Sequence, residues 1–600
     1  MSRAPGVLAL VALGALAGCG DEPSKSPAGP ATSAVAPAPA VTAGRPAGKQ
    51  GAWFDGPRAG DPAFKQVGGR ERNEVEELLE VIGNGVGLID YDKDGDLDLF
   101  FPVGRRSFTP HDPADDSTDR LFRNRGDGTF EDVTAVAGVQ DDAWSFGCAV
   151  GDFDSDGFDD LFVCNWGPDR LLRNRGDGTF EDVTAKAGVA DDDWSTCATF
   201  GDLDGDGDLD LYVARYFHFD ATHPPNGGKP CHFVDLEIPC GPQWEPAAHD
   251  LLWRNDGGHF TDVSQESGIR DVRASYGFGV TCCDVDGDGR LDLFVGNDSL
   301  PNFLFRNLGG LKFEEIGAAS GLSANIDGHD QACMGIDVAD YDGDGLEDFT
   351  ASNFSSDYDT IWHNDGGGFF TDVTRRLGIA EPTWWMLGWG TRFLDADCDG
   401  DLDLFVANGH IYPDANGSHS IQYEQPNQLF LQDGSGRFAL ADPEKDGGVG
   451  PGLAIPGANR GAAFGDLDGD GWTDVVVARL NQSPLILRAV PQPGVHRLLV
   501  ELRPGPDHRP VDHATVTVKI GAKTQLRRLN RGGSFESSND PRLQFGLGSA
   551  TQIDELTIRW RDGTTQTLRD VAGDQKVTII HGGVGPDATP VVPVVMEPLR

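Results

Sequence analysis

The chain has 600 residues, 81 glycines, 9% aromatic residues and a formal charge of −48. That length holds several domains or one large repeat array plus extras. A surface this acidic repels nucleic acid and anionic lipid headgroups, so neither is expected as a partner, while cationic or neutral partners stay open.

The N-terminus reads MSRAPGVLALVALGALAGCG, with Arg3, an apolar run from Val7 to Leu16, and then Ala17-Gly18-Cys19. The run is too short to span a bilayer as a permanent helix. It is similar to a bacterial lipoprotein signal, with residues 1–19 as the signal segment and Cys19 as the lipidated residue; an ordinary secretory signal is the alternative. Residues 20–50 are rich in Pro, Ala, Ser and Gly and read as a flexible tether. The expectation is an exported protein, lipid-anchored in the cell envelope, with the outer membrane as default.

From residue 90 onward one pattern, D-x-D-x-D-G-x-x-D, occurs seven times. The aspartates are Asp90, Asp92, Asp94 and Asp98; Asp152, Asp154, Asp156 and Asp160; Asp202, Asp204, Asp206 and Asp210; Asp284, Asp286, Asp288 and Asp292; Asp340, Asp342, Asp344 and Asp348; Asp395, Asp397, Asp399 and Asp403; and Asp466, Asp468, Asp470 and Asp474. Crowded like charges repel, and a bound dication removes that repulsion. The glycine permits the sharp curl, and six to eight oxygen ligands suit Ca²⁺, so up to seven Ca²⁺ ions are expected. An EF-hand is excluded: position 12 is apolar in each copy, as at Phe101, Val163, Val213 and Val406. The residues after each loop, such as LDLFF and LDLYV, read as strand, which makes the loop a hairpin turn.

A second motif alternates with the first. RNRGDGTFEDVTA stands at 123–135 and again at 173–185, with looser copies at 251–264, 303–316 and 360–373. It reads as an apolar pair, Arg-Asn, a Gly-rich turn and an alternating tail, hence a second hairpin. The Arg-Gly-Asp triplet inside it reads as a turn, because other copies have NDGG and NLGG. Successive Asp loops start 62, 50, 82, 56, 55 and 71 residues apart. Two hairpins per period give four strands, the signature of propeller blades. The predicted fold is all-β, a seven-bladed β-propeller over residues 51–490. A small β domain follows at 491–583, and a disordered tail is expected at 584–600. The last blade lacks a strand, which the segment near Ala63–Val67 is expected to supply.

Nine cysteines follow Cys19. Cys231 and Cys240 bracket the short loop KPCHFVDLEIPCGP and are expected to form a disulfide. A Zn²⁺ site with His218, His223 and His232 is the alternative there. Cys148 and Cys164 flank the second Asp loop symmetrically and are expected to face each other.

The Phe-Gly and Gly-Asp pieces (Phe146-Gly147, Gly151-Asp152, Phe200-Gly201-Asp202, Phe464-Gly465-Asp466) resemble the FG-GAP repeats of integrin α-subunit propellers. The longer strings EELLEVIGNGVGLIDYDKDGDLDLFF and WGTRFLDADCDGDLDLFVANGHIYP resemble bacterial relatives of cartilage acidic protein. Residues 515–568, especially RLQFGLG and IDELTIRWRDG, are similar to the ASPIC/UnbV domain of that family. One departure is PDHRPVDHATV at 506–516, where the family commonly has Asn-Arg and Ile-Gly-Ala. The resemblance implies a seven-bladed, Ca²⁺-binding propeller followed by a small β domain, with extracellular or matrix binding as its usual role.

No metalloprotease, nucleophile-elbow or phosphate-loop motif is present. The expected function is a binding or adhesion module for a protein or glycan ligand, not an enzyme. The alternative is an envelope carbohydrate-active enzyme, with Trp384, Trp385, Trp389, His410 and Tyr412 as candidate sugar-binding residues against a plain role in core packing.

Overall fold

The computed structural model describes residues 54–69, 77–108, 112, 114–220, 223, 225–233, 236–412, 421–442, 450–506, 508–582 and 594–600. The expected signal segment, Cys19 and the tether lie outside the described residues. Among the described residues no helix is long and apolar enough to cross a membrane.

Among the described residues, seven antiparallel four-stranded sheets each carry one Asp loop between their first and second strands. In the second sheet the strands are Trp144–Gly151, Asp160–Trp166, Arg170–Asn174 and Phe180–Asp182. The Arg-Asn pair ends the third strand. The repeat's tail departs from the expected strand: Thr184–Ala187 is one helical turn, closed by Gly188 at φ 89°. Asp182 Oδ1 accepts the Thr184 N–H at 3.1 Å, which starts the turn.

The seventh sheet holds Asn459–Gly465, Asp474–Arg479 and Leu485–Ala489, and its outer strand is Phe54–Asp55 from the start of the domain. Phe54 lies opposite Ala489 and Asp55 opposite Arg488. This corrects the expectation for Ala63–Val67. Phe54 is fully buried between the sixth and seventh sheets, and that burial outweighs its minimal length.

Neighbouring sheets share apolar cores. Ile89, Phe100 and Leu121 pack on Val150, Leu161 and Leu172 between the first and second sheets. The series continues in chain order, and Ala463, Val476 and Ile486 of the seventh sheet pack on Leu88 and Leu99 of the first. The first strands likewise neighbour one another in order, with Asn459–Gly465 returning to Gly87–Ile89. This is the arrangement of a β-propeller, in which packing of sheet faces replaces exposed strand edges.

Cys231 and Cys240 are joined by a disulfide across a small hairpin in the third sheet's long connection. Cys148 and Cys164 are both free and buried, which corrects the expected pairing. Cys148 lies opposite Val163, so Cys164 points to the other face of the same sheet. Their separate burial in the cores on either side of the second sheet follows.

The C-terminal domain is two four-stranded sheets over one core that includes Val500, Val516, Phe545 and Leu556. Its strand His496–Arg503 runs parallel to Gln575–Ile580. The expected tail ends instead in a strand, Val594–Pro598, paired with Gln575–Ile580. It is the edge strand of its sheet, where the missing N–H of Pro598 is tolerated.

Residues 530–540 leave this domain and run into the middle of the propeller. Ser538 and Ser534 bridge to Gly87 and Ile336 on the first strands of two different sheets. Phe535 is fully buried, 4.8 Å from the Trp389 ring and 5.7 Å from Phe278.

Candidate metal-binding loops

Each Asp loop curls over the glycine at position 6, with φ between 81° and 100° in all seven copies. The first aspartate anchors the curl: Asp152 Oδ2 accepts the Gly157 N–H at 2.8 Å, and Asp395 Oδ2 accepts that of Gly400 at 2.8 Å. The ninth-position aspartates are almost fully buried. Asp160 Oδ2 accepts the Phe153 N–H at 3.1 Å and its Oδ1 accepts the Asn174 N–H at 2.7 Å. This pair of bonds recurs at Asp98, Asp210, Asp292, Asp348, Asp403 and Asp474. The fourth carboxylate therefore fastens the loop to the next hairpin as well as facing its own cluster.

The asparagine of the Arg-Asn pair has a role that spacing alone does not suggest. Asn174 Nδ2 donates to Asp159 O at 3.2 Å and to Tyr91 O of the preceding sheet at 2.8 Å. Asn255 and Asn307 reach Phe153 O and Leu203 O in the same way. Gln432 reaches Tyr341 O, and Asn124 reaches Leu467 O of the seventh sheet. The signal for this clamp was the repetition of Asn in every clear copy of the second motif.

The clusters carry more negative charge than their surroundings support. Burial, then neighbouring carboxylates, hold Asp98 up at about 9 and Asp210 at about 8. Asp90 stands at about 6, Asp152 at about 7 and Asp395 at about 7, raised by the same burial and only partly offset by backbone N–H donors. Carboxylate oxygens of Asp90, Asp92 and Asp98 lie within 4.8 Å of one another, as do those of Asp152, Asp154 and Asp160, of Asp202, Asp204 and Asp206, and of Asp284, Asp286 and Asp292. One oxygen each of Asp90, Asp154, Asp284, Asp395 and Asp468 is shut off from water and accepts no hydrogen bond. Buried acceptors left without donors need an explanation, and an oxygen-seeking dication supplies one. The residues present fit Ca²⁺.

The C-terminal domain reaches all seven loops. Arg600 pairs with Asp96, Arg531 with Asp159 and Arg528 with Glu347. Arg561 donates to Asp202 O and Gly289 O, Lys523 to Asp399 O, and Arg542 to Asp466 O. Arg497 Nε donates to Asp470 O at 2.6 Å. The domain thus covers the loop face of the propeller.

The aromatic candidates do not form one site. Trp389 is 2% exposed in the propeller's middle, where its Nε1 donates to Gly409 O and the Arg460 guanidinium lies 4.4 Å from its ring. His410 is fully buried, bonded to Ser355 Oγ at 3.1 Å, and burial lowers its pKa to about 3. Tyr412 belongs to the same central core. Trp384 and Trp385 alone remain at the surface, at 38% and 55% exposure. Of the histidines considered for zinc, His218 pairs with Asp193 and His223 with Asp220.

The FG-GAP-like repeat is matched at residues 90–163, 152–213, 284–351, 340–406 and 415–477, together just over half the chain. The chain belongs to the FG-GAP-like repeat family. This FG-GAP chain also matches the ASPIC and UnbV domain over residues 506–585. It is similar to cartilage acidic protein 1 of Xenopus tropicalis, 26% identical over 327 residues, which cover 52% of this chain and 46% of that protein. The mouse (Mus musculus) protein of that name is 26% identical over 335 residues, covering 53% and 47%. The chain spans about half the length of the curated relatives it matches. Among solved structures it is similar to an Agrocybe aegerita lectin described as recognising non-reducing terminal N-acetylglucosamine, at 17% identity and TM-score 0.34 over 62% of this chain and 87% of that one. A rhamnogalacturonan lyase of Bacillus licheniformis shows 14% identity and TM-score 0.36 over 72% and 75%. Likeness at that level says nothing about ligand or reaction. FG-GAP repeats joined to an ASPIC and UnbV domain fit a protein-interaction module, and domains of this extracellular type point to export.

Proposed function

We propose that the chain is a calcium-loaded, lipid-anchored envelope module that binds a protein or glycan and has no catalysis of its own. Its seven sheets act as a closed ring of seven blades, with up to seven Ca²⁺ ions at the Asp loops. The observation that carries the calcium reading is the set of buried carboxylate oxygens without donors at Asp90, Asp154, Asp284, Asp395 and Asp468. In each loop the first, third, fifth and ninth aspartates would hold the ion, and the ninth also ties the loop to its hairpin. The ion supplies positive charge and rigidity, not reactivity, because a ligated carboxylate is a poor acid or base.

The C-terminal domain lies over the loop face, and residues 530–540 fill the middle. The ligand would bind the opposite face, which carries the long connections such as that of the Cys231–Cys240 disulfide. Cys19 would hold the module at the membrane. A pull-down from intact cells in Ca²⁺ and in chelator tests the module: capture that depends on Ca²⁺ supports it. Release of cleaved glycan would favour an enzyme instead. Metabolic labelling with palmitate, compared with C19A, tests the anchor.

A further inference from the structure

We propose that the fifth Asp loop is a zinc-class site, built from Asp342, Asp344 and His363, and differs in metal preference from the other six. The proposal rests on reading the loops as metal sites.

The residue before the clamp asparagine sits beside its own loop. It is arginine in four of the first five sheets: Arg123, Arg173, Arg254 and Arg306. Arg173 reaches its loop directly, pairing with Asp154 and with Asp156, whereas Arg123, Arg254 and Arg306 pair with Glu131, Asp256 and Glu314 of the second hairpin. In the fifth sheet the same position is His363. A fixed cation is replaced by an imidazole, which when neutral is a nitrogen ligand.

The geometry around His363 orients that ligand. Nε2 lies 3.2 Å from Asp342 Oδ2 and 3.8 Å from Asp344 Oδ2. The three ligand atoms lie within 4.8 Å of one another. On the other side of the ring, Nδ1 is 3.1 Å from Asp365 Oδ1, and Asp365 Oδ2 accepts the Thr371 hydroxyl at 2.5 Å. With Nδ1–H donated to Asp365, the Nε2 lone pair faces the two loop carboxylates. A carboxylate behind a ligating histidine is the usual second support of a metal centre.

The other two loop carboxylates anchor the backbone of the loop. Asp340 accepts backbone N–H groups from Gly343, Asp344 and Gly345, and Asp348 from Tyr341 and Asn364. This leaves Asp342 and Asp344 to face the imidazole. Zinc takes nitrogen at roughly 2.0–2.1 Å and carboxylate oxygen at about 2.0–2.2 Å in a tetrahedron, so ligand atoms stand about 3.3–3.4 Å apart. The two observed separations straddle that edge length. Calcium prefers oxygen alone at longer range, whereas imidazole suits zinc and its neighbours in the transition series. Asp344 is 39% exposed, so a fourth position opens to solvent.

The test is calorimetric titration of the full, tag-free chain with Zn²⁺ in millimolar Ca²⁺, followed by anomalous diffraction at the zinc edge. The expected result is one Zn²⁺ per chain, with its peak between Asp342, Asp344 and His363. His363→Gln should weaken Zn²⁺ binding at least tenfold. Asp365→Asn, which leaves all three ligands, should weaken it about 10–100-fold. His363 is partly exposed, and unchanged melting curves would show that both variants fold. No Zn²⁺ uptake by the native chain in Ca²⁺, or equal uptake by His363→Gln, overturns the proposal while leaving calcium at the other loops intact. Failure to bind Ca²⁺ at any loop overturns the metal reading itself.

Discussion

Replacing Asn174 by alanine tests how adjacent sheets are held together. The side chain is fully buried and donates to two carbonyls, Tyr91 O and Asp159 O. Truncation leaves both without that donor. A buried acceptor deprived of its partner costs about 1–3 kcal/mol, and a carbonyl's second lone pair softens the loss, so the pair comes to about 2–4 kcal/mol. At roughly 2 cal/mol/K per residue, a unit of this size unfolds with an entropy near 1 kcal/mol/K, and the apparent Tm should fall by ~2–4 °C. Differential scanning calorimetry at saturating Ca²⁺ measures it. Arg123→Ala is the control: it removes an ion pair to Glu131 with both partners more than one-third exposed and screened by solvent. Asn364→Ala should fall between them, since Asn364 Nδ2 donates to Glu347 O within its own sheet. If Asn174→Ala moves Tm no further than Arg123→Ala, the clamp argument is wrong.

Glu536 is fully buried in the propeller's middle, neither carboxylate oxygen accepts a hydrogen bond, and burial pushes its pKa well above the usual range. Glu536→Gln should leave Tm unchanged or raise it, and a fall of several degrees would show that the negative charge is needed. His410 and His513 are held neutral by burial, both near 3. Unfolding lets them protonate near 6.5, so the stability they contribute is complete above that pH and is lost as pH falls from about 6.5 towards 3. Urea midpoints in Ca²⁺ across that range should decline, and less steeply for His410→Asn; parallel declines would refute the assignment. Arg528→Ala strips the paired cation from nearly buried Glu347, a loss of about 3–5 kcal/mol. Limited proteolysis should then cut the connection near residues 490–496 faster than in the native chain.

The aspartate spacing and the two hairpins per repeat were legible because each is written several times in nearly the same letters. Strand pairing and the propeller arrangement follow from them. The closing strand was misplaced because Phe54–Asp55 is two residues long and carries no period; only its burial under the sixth and seventh sheets selects it. The aromatic group was drawn too wide. Trp384 and Trp385 precede Trp389 closely, yet Trp389 lies on the first strand Gly388–Leu394 and turns into the middle. The docking of the C-terminal domain left little trace in sequence, since Arg497, Lys523 and Arg542 bond to backbone carbonyls, which every residue type has. The insertion of residues 530–540 was hidden for a related reason: Ser534 and Ser538 join through main-chain bridges.

Native mass spectrometry of the chelated chain, reloaded with Ca²⁺, tests the central claim most directly. The account predicts uptake of up to seven ions, reduced by one when Asp152, Asp154 and Asp156 of the second loop are changed to asparagine, together with a higher melting temperature in the loaded form. A chain that takes up no Ca²⁺, and melts at the same temperature in chelator, would contradict it.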